Sequence, residues 1–300
     1  MIKNTKEIFI NLKIKEDILS SSQKKKLDQD GFVIFQKCGY MLKNLRSLNE
    51  EANRLIKSEN DKGGWEGKEK HYKPGKKFEE GADRLGALVN KHDVFLGLIT
   101  IPEILAAAHH VLKSDLKIAG VNLRNPQKGF GEQRIHIDGN PRFSTKEKFT
   151  GVVCFCFLDD TTIKNGAIRI VPKSHRIPGY PDEYIDINKE NKYEKRVLVN
   201  AGTIIVANLN IWHAGAKNYS GDPRKMIMVN VKSRDQDQLL NYKKFLDKIV
   251  LEKLTPEQSY LLATRKSDPT QKMDSGGSAN QMYREFLQKR KKIELKKFQL

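Results

Sequence analysis

Apolar residues recur at helical spacing through the first third of the chain. In 41–58, "MLKNLRSLNEEANRLIKS", Leu42, Leu45, Leu48, Ala52, Leu55 and Ile56 form a stripe that predicts a helix packed on a core. Residues 20–35, "SSSQKKKLDQDGFVIF", read as a short helix through Leu27, a turn at Asp30-Gly31, then a strand. Another helix is predicted over 92–113, where Pro102 can open a second segment because a first helical turn needs no amide donor there. The polar, Gly- and Lys-rich stretch 60–82 between them is either a surface loop or a cover over a site.

From 117 to 234 the pattern changes to short apolar runs: "KIAGVNLR", "FTGVVCFCFLD", "AIRIVP", "KRVLVNAGTIIVA" and "KMIMVNVKS". Gly, Asn, Asp and Pro separate them, which predicts an antiparallel barrel or sandwich. Helical patterning returns over 235–300, in "DQLLNYKKFLDKIV", at Thr255 as a cap ahead of Pro256, and in a final basic helix after the loop "SDPTQKMDSGGSAN". No internal repeat is present. The expected organisation is one domain, mainly β with flanking helices: a helical flank over about 1–115, a β core over about 117–234 and a helical extension over about 235–300.

Composition narrows the function classes. A 38% hydrophobic content can fill a sizeable interior. No run approaches the roughly eighteen apolar residues of a membrane span, and the first residues lack a signal-peptide pattern, so a cytoplasmic location is expected. Cys38, Cys154 and Cys156 are an odd set without framework spacing, which fits free thiols in a reducing compartment, the latter two buried on one face of a strand. The net charge of +18 comes mostly from dispersed lysines. Without basic–aromatic interleaving or a zinc finger, that charge reads as a solvated surface rather than a nucleic-acid footprint. Length and charge fix no oligomeric state.

The chemistry concentrates in "RIHIDGN", residues 134–140. If 133–138 is extended, His136 and Asp138 share one face of a strand and point into the barrel together. A third ligand must come from elsewhere, and His213, after "GTIIVANLNIW", is best placed to return beside them. His175, in "VPKSHR", is the main rival. Two histidines and one carboxylate leave three positions open, which favours Fe(II) with O2 and a chelating co-substrate, although zinc could use the same residues. Arg224, eleven residues past His213 and just after Pro223, tips the balance toward iron. A guanidinium at a barrel mouth can clamp the far carboxylate of a chelating dicarboxylate.

Taken together, "GFGEQRIHIDG", "NGAIRIVPKSHR", "HAGAKNYSGDPRKMI" and the opening "LDQDGFVIFQ" resemble the phytanoyl-CoA dioxygenase family over about residues 25–235. The resemblance implies a double-stranded β-helix (a jelly-roll, cupin-like core) and a dioxygenase using Fe(II), 2-oxoglutarate and O2. It makes His136, Asp138 and His213 the iron ligands, puts Arg224 on the far carboxylate of 2-oxoglutarate, brings Gln133 against the co-substrate and places Phe155 as an aromatic wall. On a regular strand Phe155 shares its face with Val153 and Phe157, opposite Cys154 and Cys156. The chain departs from the family pattern at Gly215, where many members carry a serine that helps hold the co-substrate, and at Lys173, usually glycine. Asp138 separates it from halogenating members, which replace that carboxylate with a small residue.

The implied reaction is hydroxylation of an aliphatic C–H bond in a small molecule, with release of succinate and CO2. Arg134 and Arg142, with Lys128, predict a cationic pocket suited to a carboxylate, a phosphonate or a phosphopantetheine-linked acyl chain, with Asn122 and Asn230 lining the barrel. The alternatives are a cupin-like metal-binding protein without oxygenase activity and a nucleic-acid-directed oxygenase using the basic surface.

Overall fold

In the computed structural model, which describes residues 2–269 and 271, the chain opens with α1 (Thr5–Asn11), capped by the Asn4 side chain. The Ser20 hydroxyl accepts from the Gln23 amide while the Gln23 side chain accepts from the Ser20 amide, and this reciprocal cap starts α2 (Ser21–Asp30). Gly31, at φ 85°, ends the helix and turns the chain into β1 (Phe32–Phe35), as the pattern predicts. The predicted stripe becomes α3 (Gly39–Glu59), which buries Leu48, Ala52 and Leu55. At its start the core position belongs to Met41, and Leu42 stands 51% exposed.

Segment 60–82 is a packed loop. Trp65 meets Tyr72 and Phe78 edge-on, and the Asp61 carboxylate accepts from the Tyr72 hydroxyl and the Gly75 amide. It leads into β2 (Ala82–Leu85), whose sequence shows no alternation. The predicted 92–113 helix is broken: α4 (Asp93–Leu96) and a 3-10 turn precede α5 (Pro102–Leu112), because Ile101, before proline, is extended.

The core strands are β3 (Leu116–Pro126), β4 (Gly151–Phe157), β5 (Arg169–Val171), β6 (Lys195–Arg196), β7 (Ile204–Asn208), β8 (Trp212–Ala214) and β9 (Met226–Ser233). They form a six-stranded sheet, β1-β7-β4-β9-β3-β2, and a three-stranded sheet, β6-β5-β8. All described pairings are antiparallel. The period-2 alternation separates the two faces of the large sheet. Cys154, Cys156, Val206 and Val229 pack under the helices, whereas Val153, Phe155, Phe157, Ile205 and Met226 fill the space between the sheets with Ile168 and Ile170. This is the expected jelly-roll core with helices over one face.

The predicted C-terminal helix splits into α6 (Tyr242–Phe245) and α7 (Lys248–Lys253), followed by α8 (Pro256–Leu261) with the Thr255 cap in place. The final basic helix and most of the loop before it lie outside the described residues. Among the described residues no single helix is long and apolar enough to cross a membrane.

Candidate metal centre

β8 carries Trp212 and Ala214 outward into a small cluster with Ile135, Val171 and Ile177, so His213 between them points inward. His136 reaches it differently from the expectation. Residues 133–138 do not form a strand; a single antiparallel bridge joins His136 to His213, with both backbone hydrogen bonds at 3.0 Å. The chain then bends, and the Asp138 and Gly139 amides both donate to the Leu209 carbonyl. Glycine at 139 permits this approach, since a Cβ there would lie 2.9 Å from the Leu209 Cβ.

The result is one cluster. Asp138 Oδ1 lies 3.6 Å from His136 Nε2, and Oδ2 lies 3.5 Å from His213 Nε2. The three candidate ligand atoms all fall within 4.8 Å of one another. Each imidazole is anchored by its other nitrogen to the carbonyl two residues upstream, His136 Nδ1 to Arg134 O at 2.9 Å and His213 Nδ1 to Ile211 O at 3.1 Å. A carbonyl can only accept, so Nδ1 carries the proton and each Nε2 lone pair is free to face a cation. Burial acts to raise the Asp138 carboxyl, but the neighbouring His213 and His136 hold it well below the usual range. Burial acts to lower His213, and Asp138 outweighs it, so that imidazole moves up. A dense anion facing two imidazole lone pairs is a donor set that fits Fe(II).

Arg224 tests the other half of the fit. It is 1% exposed, and its Nε and Nη2 find no hydrogen-bond acceptor among the described residues. Burial, then the like charge of Arg124, lowers it to about 9 against the opposing pull of Glu79. A buried guanidinium with open donors calls for a carboxylate. The donors available therefore suit a chelating dicarboxylate.

The remaining sequence-predicted residues divide. Phe155 is inside, its ring edge-on to His213 at 5.7 Å between centroids. Gln133 is beside the site, its Oε1 accepting from the Gly215 amide at 2.9 Å. Asn122 and Asn230 are half-buried and share the inner face with Met228 and Arg124, by the register Asn122↔Met228 and Gly120↔Asn230. Arg134 is exposed: the strand that would have turned it inward is absent. Lys128 is exposed as well.

Arg142 points elsewhere. Its guanidinium donates to the carbonyls of Thr145, Glu147 and His175 and stacks on Phe149, along a separate cavity of about 710 Å³. His175, the rival ligand, is buried against Gly31 and Phe149 with Nε2 near the Asp28 carbonyl. His92 caps α4, and His110 pairs with Asp28.

Three charged residues escaped the sequence reading. Arg84 on β2 stands opposite Arg124 on β3, and both meet Glu79 from the packed loop. Burial lowers Arg84, while Glu79 and Asp138 act to raise it, so its charge is felt at the triad. A signal for Arg124 exists: in "VNLRN" it shares a face with Asn122 by simple alternation. Nothing comparable marks Arg84 or Glu79, which lie outside any alternating run.

Residues 27–226 match the family model for phytanoyl-CoA dioxygenase. Among solved structures, the chain resembles HygX from Streptomyces hygroscopicus with nickel and 2-oxoglutarate bound, at a TM-score of 0.59 and 15% identity over 73% of this chain and 89% of that one. It also resembles the non-heme alpha ketoglutarate dependent carbocyclase SnoK from nogalamycin biosynthesis, at a TM-score of 0.56 and 15% identity over 73% and 86%. The corresponding epimerase SnoN matches at a TM-score of 0.56 and 16% identity over 86% and 95%. These likenesses show the shared fold.

Proposed function

Because the chain belongs to the phytanoyl-CoA dioxygenase family, whose enzymes use Fe(II), 2-oxoglutarate and O2, we propose that it oxidises an aliphatic C–H bond of a small molecule at the inner face of the barrel. His136, Asp138 and His213 would hold the iron, and Arg224 would bind the distal carboxylate of 2-oxoglutarate. The observation that carries this reading is the pairing of a preformed His/Asp/His cluster with a buried arginine whose Nε and Nη2 lack acceptors. When bound, iron and co-substrate supply the oxidising power and release succinate and CO2, with hydroxylation as the outcome.

The residues have separate tasks in this scheme. The Arg134 and Ile211 carbonyls fix the two rings, so the ligand atoms need no rearrangement on loading. Phe155 and the apolar residues around it keep water from the back of the site. Gln133 holds the Gly215 amide and so shapes the chain just past the distal histidine. Asn122, Met228 and Asn230, half-buried on the inner face, would meet the substrate. Arg84, near Asp138, and exposed Arg134 keep the surroundings cationic, which favours an anionic substrate; Arg142 takes no part, its Nη1 and Nη2 donating to carbonyls along a separate cavity.

Anaerobic addition of Fe(II) and 2-oxoglutarate to the apoprotein tests the reading. A weak visible charge-transfer band is expected, and tight zinc retention without a band would overturn it. A panel of small carboxylates and phosphonates, scored by substrate-dependent succinate release, then tests the substrate class.

A further inference from the structure

Position 215, two residues past His213, is glycine, and the space beside it is already taken. A Cβ there would lie 2.8 Å from Gln133 Oε1, 2.8 Å from the Gly131 carbonyl and 2.9 Å from Arg124 Nη1. The neighbour that matters is Arg124. It faces Met226 in the β3–β9 register, and Arg224 lies two residues before Met226, just ahead of β9, close enough for the two like charges to repel.

Arg124 is 4% exposed, and its donors are unequally used. Nε donates to Glu79 Oε1 and Oε2 at 3.0 Å each, and Nη2 donates to Glu79 Oε1 at 2.5 Å and to the Gly131 carbonyl at 3.3 Å. Nη1, the nitrogen beside Gly215, has no hydrogen-bond partner among the described residues. Glu79 therefore matches the charge of Arg124 along one edge and leaves the other edge open. Arg84 adds only a 3.5 Å contact to Glu79, and Arg224 makes no ion pair among the described residues. Two guanidiniums close enough to repel each other thus keep unused donors, one of them beside Gly215.

We infer that Arg124 is a second arginine for the distal carboxylate of 2-oxoglutarate, its Nη1 donating beside Gly215 while Arg224 donates from the turn just ahead of β9. The inference rests on the proposed role of Arg224. It explains why glycine suffices at 215: a guanidinium from a different strand fills the place and offers the donor. Glu79 is then a positioning residue. It locks the Arg124 fork in one orientation and offsets the repulsion between two neighbouring cations.

Two chelators separate this role from a structural one. N-oxalylglycine carries a distal carboxylate, and pyridine-2-carboxylate chelates metal without one. Binding of each to the Fe(II)-loaded protein is measured anaerobically by calorimetry for the wild type, Arg124→Met, Arg124→Lys and Arg224→Met. Arg124→Lys keeps a cation for Glu79 and guards against a folding defect in the methionine variant. Loss of one charge-assisted hydrogen bond should weaken N-oxalylglycine by about tenfold or more in each variant, with pyridine-2-carboxylate changed by less than about twofold. If Arg224→Met weakens N-oxalylglycine and neither Arg124 variant does, the second-arginine role is overturned and the function stands. If Arg224→Met leaves both chelators unaffected, the proposed co-substrate site is itself wrong.

Discussion

His136 and His213 exchange both of their backbone hydrogen bonds, each amide donating to the other's carbonyl at 3.0 Å. The spacing of the two imidazoles is thus set by main chain, and their ring orientation by the Arg134 and Ile211 carbonyls. Neither constraint needs a metal. A site built this way should be rigid before loading and should lose chemistry without losing the fold.

The first prediction follows from that rigidity. His136→Ala and Asp138→Ala should abolish the Fe(II)–2-oxoglutarate absorption while far-ultraviolet circular dichroism stays that of the wild type, and chelator-stripped protein should remain folded. His136 and Asp138 side chains are 35% and 30% exposed, so truncation leaves little cavity. A variant that unfolds, or one that retains the band, would count against the cluster as a preformed metal site.

Alternation made the core legible. It set Phe155 on one face with Val153 and Phe157 and the two cysteines on the other, and the structure turns the first face to the space between the sheets and the second to the helices. It also put His136 and Asp138 on a regular strand, where the structure has one bridge and a bend. The two residues still converge, because the Leu209 carbonyl captures two successive amides after the bridge. Arg134 went astray for the same reason: alternation assigns a side only while the strand continues. Arg142 and Glu79 show a different limit. Arg142 Nη2 reaches a carbonyl 33 residues away and Glu79 an arginine 45 residues away, and no local pattern announces an arginine tied to a remote carbonyl or a loop carboxylate delivered to a strand arginine.

The second prediction concerns Arg142. Replacing it by Ala removes donors to three carbonyls and the stack on Phe149, whose ring lies 4.4 Å away. The expected cost is about 2–4 kcal/mol in urea unfolding, since the His175 carbonyl is left buried without its donor. Affinity for 2-oxoglutarate should not change. A loss of substrate turnover at unchanged stability would instead return Arg142 to the active site.

A third prediction uses the thiols. Cys38, Cys154 and Cys156 are all 0% exposed, and burial raises each above the ordinary thiol range, with Glu103 adding to the rise at Cys38. Both reactivity factors, access and thiolate fraction, are therefore suppressed. Ellman's reagent should leave all three unmodified in native protein, and all three should react together across the urea transition. Rapid labelling of any one in the native state would mean that the packing over it opens locally.

The last prediction is a pH dependence that sets His175 apart from the metal ligands. It is 1% exposed, and burial lowers it from 6.5 to about 4, the Asp28 carbonyl opposing and Arg176 and Arg142 assisting. The folded imidazole thus binds a proton less readily than the unfolded one. Between about pH 6.5 and 4 the unfolded state holds more protons, so stability is full above this window and falls as pH drops through it, by about 3 kcal/mol at most. Asp138, whose folded value is depressed, contributes in the same direction but only below the usual carboxylate range. Unfolding free energies from pH 7.5 down to 4.5 should therefore slope less steeply in His175→Asn than in wild type. The same variant should keep the Fe(II)–2-oxoglutarate band at neutral pH. Parallel slopes would show that the folded His175 binds a proton as readily as the unfolded one, and a lost band would restore it as a candidate ligand in place of His213.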